Sequence, residues 1–247
     1  MVGRSISEKI YGYRARVGLL LPSLNVTAEP EFNKMAPKGV SIHAARLSFR
    51  AGTVEELERM NTRIEEAAEL LATAHVDIIA YACTTGSLIK GLGWDKEIIR
   101  RIEEKVGIPA ITTSTAVINA LEKLGVKRIA VATPYTDELN RKEKEFFEAC
   151  GYDVVSIEGL GFVDGEELHK QPAETTYTLA RKVDTPDAQC VFISCTDFKS
   201  ISVITRLESE LKKPVFSSNT ATMWAILTKL NLRNKIRGCG TLLEIRN

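Results

Sequence analysis

The stretch VDIIAYACTTGSLIKG, Val76 to Gly91, decides how the rest of the chain is read. Its first half is a short apolar run, which then passes a cysteine, Cys83, into hydroxyl side chains and glycine. An apolar run of that length bounded by turn formers reads as a buried strand, and threonine and serine directly after it suit the start of a helix. Strand followed closely by helix is the unit of a parallel sheet. Cys83 therefore falls at the carboxyl end of a strand, the edge at which open α/β sheets bind ligands.

The same alternation extends in both directions. Strand-type runs occupy 16–21, 41–47, 76–81, 109–112, 128–133, 153–157, 189–194 and 214–217. Helix candidates with charge on one face lie between them at 54–74, 95–106, 115–125, 137–151, 200–211 and 220–230, with Gly125 and Gly151 placed as helix stops. A coarser repeat overlies this pattern. RVGLLLPSLN resembles RIAVATPYTDELN, which sets Pro22 and Pro134 112 residues apart, and Cys83 and Cys195 have the same spacing. IPAITTSTAVINAL likewise resembles KPVFSSNTATMWAIL at an offset of 105. The expected architecture is α/β, with two similar Rossmann-like (flavodoxin-like) lobes of parallel sheet, residues 1–125 and 126–247. The lobes are related by a pseudo-two-fold axis, with the site between them, and the C-terminal segment can pack back on the first lobe.

Composition narrows the function classes. The 247 residues carry 33 basic and 32 acidic side chains with no long block of one sign, which argues against nucleic acid as a partner. No apolar run reaches the ~18 residues of a membrane span, and the N-terminus lacks a signal-type apolar region, so the expectation is a soluble cytoplasmic protein. Five scattered cysteines, with neither CxxC spacing nor an even count, read as free thiols in a reducing compartment. His43, His75 and His169 are isolated and read as surface or capping groups, so no metal site is expected. GLGW and GLGF lack the third glycine of a dinucleotide loop, and no phosphate-binding GxxxxGK[ST] is present, so no nucleotide cofactor is assigned.

If the lobes face one another, Cys83 and Cys195 look into one cavity. A single cysteine at a strand end is ordinarily an inert filler, but duplication of the position favours chemistry. Thr84 and Thr85 after the first cysteine, and Thr196 after the second, can donate hydrogen bonds to an anion. Asn25 in the first Pro-containing loop either orients a carboxylate or caps the next segment, and Tyr135 in the matching loop either donates its phenol or packs beneath the loop. Asp197 reads as a cap. Cys150, Cys190 and Cys239 read as structural.

The segments PSLNVTAE (22–29), YACTTGS (81–87), TPYTDELN (133–140) and SCTDF (194–198) together resemble the aspartate/glutamate racemase superfamily, in the branch of maleate cis-trans isomerases and arylmalonate decarboxylases. The resemblance runs from Arg16 to about Leu230. It implies a cofactor-free enzyme, commonly a homodimer, with catalytic Cys83 and Cys195. Asn25 and Tyr135 would bind the carboxylates of a small dicarboxylate, and Thr84, Thr85 and Thr196 would supply donors. The decarboxylases it resembles carry glycine at the first cysteine position, so Cys83 argues against decarboxylation. The activity implied is isomerisation of maleate to fumarate by thiolate addition, rotation about C2–C3 and elimination. A two-cysteine racemase or epimerase of a small acid, and a non-catalytic small-anion binder, are the alternatives. Gly165 stands where some maleate isomerases have asparagine, a departure that bears on the choice of diacid.

Overall fold

The computed structural model describes residues 10–232 and 234–245. Each of the eight apolar runs forms a strand: β1 (Ala15–Pro22), β2 (Val40–Leu47), β3 (Ile78–Tyr81), β4 (Ala110–Thr112), β5 (Arg128–Thr133), β6 (Asp153–Gly159), β7 (Cys190–Ile193) and β8 (Val215–Ser217). They build two four-stranded sheets, ordered β2-β1-β3-β4 and β6-β5-β7-β8, with every pairing parallel. The identical order is the duplication seen in the sequence. In each half the first strand lies inside the sheet, so the crevice at the carboxyl ends opens beside β1 in one half and β5 in the other.

Among the described residues the helices are α1 (Ala28–Met35), α2 (Val54–Asn61), α3 (Ile64–Ala72), α4 (Thr84–Leu88), α5 (Trp94–Val106), α6 (Thr113–Leu124), α7 (Asp137–Ala149), α8 (Gly165–His169), α9 (Ala173–Val183), α10 (Ile201–Leu211) and α11 (Ser218–Lys229). The stretch 54–74, read as one helix, is two. The Thr62 hydroxyl and N–H both donate to the Arg59 carbonyl (2.7 and 3.2 Å), a local turn that competes with helix continuation. The expected stops hold, since α6 ends at Gly125 with φ 67° and Gly151 follows α7 with φ 85°.

The two halves share one core. Val17 and Leu19 of β1, Val131 of β5, Phe192 of β7 and Met223 of α11 belong to the same apolar cluster. At its centre α11 is buried at every residue from Ser218 to Leu227, as expected of a helix packed on all sides. It lies on α6, its counterpart after β4, and the Thr222 hydroxyl donates to Thr113 Oγ1 across the contact (3.2 Å). The C-terminal segment touches both halves. Asn234 Oδ1 accepts from Arg14 (2.8 Å), while Thr241 N–H and hydroxyl donate to Glu208 of α10 (2.9 and 3.0 Å).

Candidate active site

β3 runs through Tyr81 and Ala82 to Cys83, which has extended backbone and caps the short helix α4 with its sulfur: Gly86 N–H donates to Cys83 Sγ at 3.3 Å. Glycine is required at 86. A Cβ there would overlap the Tyr81 hydroxyl and lie 2.9 Å from Cys83 Sγ. The Tyr81 hydroxyl donates to Asn61 Oδ1, and Asn61 Nδ2 donates to the Gly86 carbonyl (2.9 Å), which also receives Trp94 Nε1 (3.1 Å). A buried frame from α2, β3 and α5 thus fixes the turn that aims the first thiol.

In the second half, β7 leads through Ser194 to Cys195, whose φ is 93°. A non-glycine residue in this left-handed region is strained, and such strain persists where the surroundings hold it. The supports are visible: Cys195 N–H donates to Ser218 Oγ (3.1 Å), and Asp197 N–H donates to Cys195 Sγ (3.4 Å). Ser218 Oγ also pairs with Thr84 Oγ1 at 2.8 Å, so one hydroxyl ties the two cysteine loops together.

Both cysteines line one cavity of about 80 Å³, on the scale of roughly half a dozen water-sized groups. Asn25, Thr84, Thr85, Tyr135 and Thr196 line it too, so all seven residues singled out in the sequence are gathered at one place. Tyr135 is buried. Its hydroxyl hydrogen-bonds to Cys195 and lies near enough to both thiols to feel their charge. Burial and these neighbours push the phenol well above its ordinary range, so it remains a neutral donor.

Burial pushes the Cys83 thiol up to about 11 against the pull of the Gly86 N–H, the Thr85 hydroxyl and Tyr81. Cys195 is pushed higher still, first by burial and then by the neighbouring Asp197 carboxylate, despite its bonds to Tyr135 and to the Asp197 N–H. Both sulfurs are therefore held as thiols by burial, and Cys195 alone has a carboxylate beside it that opposes ionisation further.

Several side chains here are already engaged. Asn25 Oδ1 accepts from Thr27 N–H (3.1 Å) and Ala28 N–H (2.8 Å), capping α1, while its Nδ2 donates to Thr196 Oγ1 (2.9 Å). The Thr196 hydroxyl donates to the Ala82 carbonyl (3.0 Å). One hydrogen of the Asn25 amide remains for a ligand. His169, expected at the surface or as a cap, instead places Nε2 2.9 Å from Asp197 Oδ2 beside the cavity. Asp197 Oδ1 accepts from Val26 N–H (2.9 Å) and Thr27 N–H (3.0 Å), so this carboxylate of the second half caps a helix of the first. Its pairing with His169 left no trace in the sequence, because 28 residues separate the partners. Among the described residues no three His, Cys, Asp or Glu side chains converge as metal ligands.

The arylmalonate decarboxylase family model matches residues 17–243, nearly the whole chain. The chain belongs to this family. Among curated relatives, the maleate isomerase of Geobacillus stearothermophilus is 28% identical over 243 residues, covering 93% of this chain and 97% of the relative. A maleate-bound variant of the maleate isomerase from Pseudomonas putida S16 superposes with a TM-score of 0.90 at 30% identity, covering 93% of this chain and 97% of that one. A cysteine-to-serine variant of the Nocardia farcinica maleate cis-trans isomerase, with a covalently bound succinylcysteine intermediate, gives 0.89 at 27% identity, with 93% and 98% covered.

Proposed function

We propose that the chain is a cofactor-independent cis-trans isomerase of a small dicarboxylate, converting maleate to fumarate. The observation that carries this reading is the sharing of one small cavity by Cys83 and Cys195, with the Tyr135 phenol at the second sulfur and close to the first. Cys83, which has no carboxylate beside it and whose sulfur accepts from Gly86 N–H, adds to one olefinic carbon, and the π pair moves to the neighbouring carbon and its carboxylate. The C2–C3 bond, now single, rotates. Elimination then breaks the C–S bond and restores the thiolate, with no net proton or electron required. Cys195 stays a thiol and Tyr135 a phenol, so both face the developing negative charge as donors. The free hydrogen of the Asn25 amide holds a carboxylate, the Thr85 hydroxyl donates to the Cys83 sulfur until substrate draws it away, and Thr84 and Thr196 hold the loops in register.

An amino-acid racemase would need an anionic partner for the ammonium group. Asp197, the acidic side chain next to Cys195, has Oδ1 occupied by two N–H groups and Oδ2 by His169, so that reading is the weaker one. We place the protein in the cytoplasm, in keeping with its five free cysteines, and infer a homodimer from the family resemblance; no helix among the described residues is long and apolar enough to cross a membrane. Incubation with maleate in deuterated water, followed by proton NMR, tests the reaction. Fumarate is the expected product, and its absence overturns the proposal.

A further inference from the structure

The second half of the duplication holds Tyr135 and Cys195 with polar side chains that the first half lacks. At the repeat spacing of 112, Thr133, Asn140 and Ser194 correspond to Leu21, Ala28 and Ala82. All three polar residues are buried, as is Glu143, and Asn140 and Glu143 stand three residues apart on one face of α7. Buried polar groups are costly unless bonded, and these are bonded to one another.

Two chains of hydrogen bonds leave this face of α7. In one, Tyr135 N–H donates to Thr133 Oγ1 (3.1 Å), and the Thr133 hydroxyl donates to Asn140 Oδ1 (2.6 Å). Gly159 leaves room for the turn, since a Cβ there would overlap the Tyr135 carbonyl and Asn140 Nδ2. In the other, the Ser194 hydroxyl donates to Glu143 Oε1 (2.7 Å). The first chain ends on the backbone of Tyr135 and the second on the residue before Cys195, and the side chains of Tyr135 and Cys195 hydrogen-bond to each other.

The two cysteines differ in their need for such a clamp. Cys83 has extended backbone, φ −146°, and its sulfur caps α4, so an alanine suffices before it. Cys195 stands at φ 93°, a strained conformation that the surroundings must hold. Ser218 Oγ accepts its N–H (3.1 Å), and Glu143 anchors the residue before it. Glu143 Oε2 has no partner, so among the described residues the bond from Ser194 is the one hydrogen bond that this buried carboxyl makes.

We infer that Glu143 and Asn140 are positioning residues that set the Tyr135 phenol and the Cys195 sulfur against each other, Glu143 through Ser194 and Asn140 through Thr133. The inference rests on the isomerase reading above, in which these two groups face the developing charge as donors. A displaced donor still lets substrate bind but stabilises that charge less, so the loss falls on kcat.

The test is maleate turnover by NMR on the full chain, with folding checked by circular dichroism. Ser194→Ala and Thr133→Val are each expected to lower kcat by about tenfold, with KM changed by less than about twofold. Glu143→Leu is expected to match Ser194→Ala, and Glu143→Gln, which keeps an acceptor for the Ser194 hydroxyl, to recover most of that loss. Because Ser194 acts through Cys195, adding Ser194→Ala to Cys195→Ser is expected to cost less than about twofold further, measured with enzyme in excess. A folded Ser194→Ala or Thr133→Val that keeps kcat within about twofold of the wild type overturns the inference, as does a further loss of about tenfold in the Cys195→Ser background. Conversion of maleate by the wild type leaves the isomerase reading intact in either case. If the wild type converts no maleate, both readings fall.

Discussion

Glu31 on α1 and Glu143 on α7 occupy repeat-equivalent positions 112 residues apart, yet their hydrogen bonding differs sharply. Glu31 Oε1 accepts from Ser200 N–H (2.8 Å) and Ile201 N–H (3.1 Å), and Oε2 from the Ser200 hydroxyl (3.2 Å) and Asn219 Nδ2 (2.7 Å). Glu143 Oε1 accepts only from the Ser194 hydroxyl (2.7 Å), and its buried Oε2 has no partner. The duplicated fold has kept the carboxyl in both halves but has satisfied both oxygens of only one.

The consequence is a pH-dependent stability. Burial pushes Glu143 up to about 8, so from roughly pH 4.3 upward the folded chain holds a proton that the unfolded chain has lost. Stability is greatest below that window and falls as pH rises through it, by up to about 1.4 kcal/mol per pH unit. Glu143→Gln, which cannot ionise, is expected to flatten the dependence of urea midpoints between pH 5 and 8. An unchanged slope would show that another group is responsible.

Substitution at the two sulfurs should give different outcomes. Cys83→Ser removes the nucleophile and is expected to lower kcat by about a thousandfold or more. Cys195→Ser keeps the nucleophile but weakens the donor opposite it. Its turnover is expected to fall while intact-mass spectra show the increment of one diacid, mapped by peptide analysis to Cys83. An adduct on any other cysteine would reverse the assignment.

The rate should follow ionisation of the first thiol. With Cys83 at about 11, kcat/KM for a fully ionised diacid is expected to rise nearly tenfold per pH unit between pH 6.5 and 8.5, since the thiolate fraction does so. A flat profile would mean that deprotonation of Cys83 does not limit addition.

Asp197 should matter through its backbone partners more than through histidine. Asp197→Ala strips an acceptor from the Val26 and Thr27 N–H groups, at a cost of about 2–3 kcal/mol. His169→Ala removes a partly exposed partner and is expected to cost less than about 1 kcal/mol. The β1–α1 loop carries Asn25, so Asp197→Ala is also expected to raise KM more than it lowers kcat. Equal losses of stability in the two variants, read from urea unfolding, would refute this ranking.

All eight strands were legible, the inner ones because buried parallel strands are short continuous apolar runs, and the edge strands β2 and β6, which are half-exposed and carry polar residues, from their place in the strand–helix alternation. The seven cavity residues were legible because the chain repeats itself: Cys83 and Cys195 become conspicuous only when one half is laid on the other. What escaped was non-local or locally ambiguous. Glu31 was not singled out, and nothing near it in the sequence announces Ser200 or Asn219. The helix α9 (AETTYTLARKV) buries Thr176 on the face that also holds Tyr177 and Ala180, which blurs its apolar period. Asn61 and Gly86, which frame Cys83, carry no motif because their roles depend on a carbonyl and on the absence of a Cβ.

The exchange of carboxylates across the middle of the molecule also ties the two halves together in both directions. Glu31 crosses to the start of α10, and Asp197 crosses to the start of α1. Swinging the halves apart like jaws would bare both helix beginnings at once, beside a buried α11 that belongs to either side. The segment 160–172 is held at both ends, by Leu160, Gly161 and Phe162 N–H donating to the carbonyls of Thr133, Tyr135 and Pro134 (3.2, 3.0 and 2.9 Å), by the Gly52–Val163 bond, by the His169–Asp197 pair and by Lys199 reaching the carbonyls of His169 (2.6 Å) and Gln171 (2.7 Å). Each half thus supplies the carboxylate that covers a helix beginning of the other, and the seam is braced from both directions.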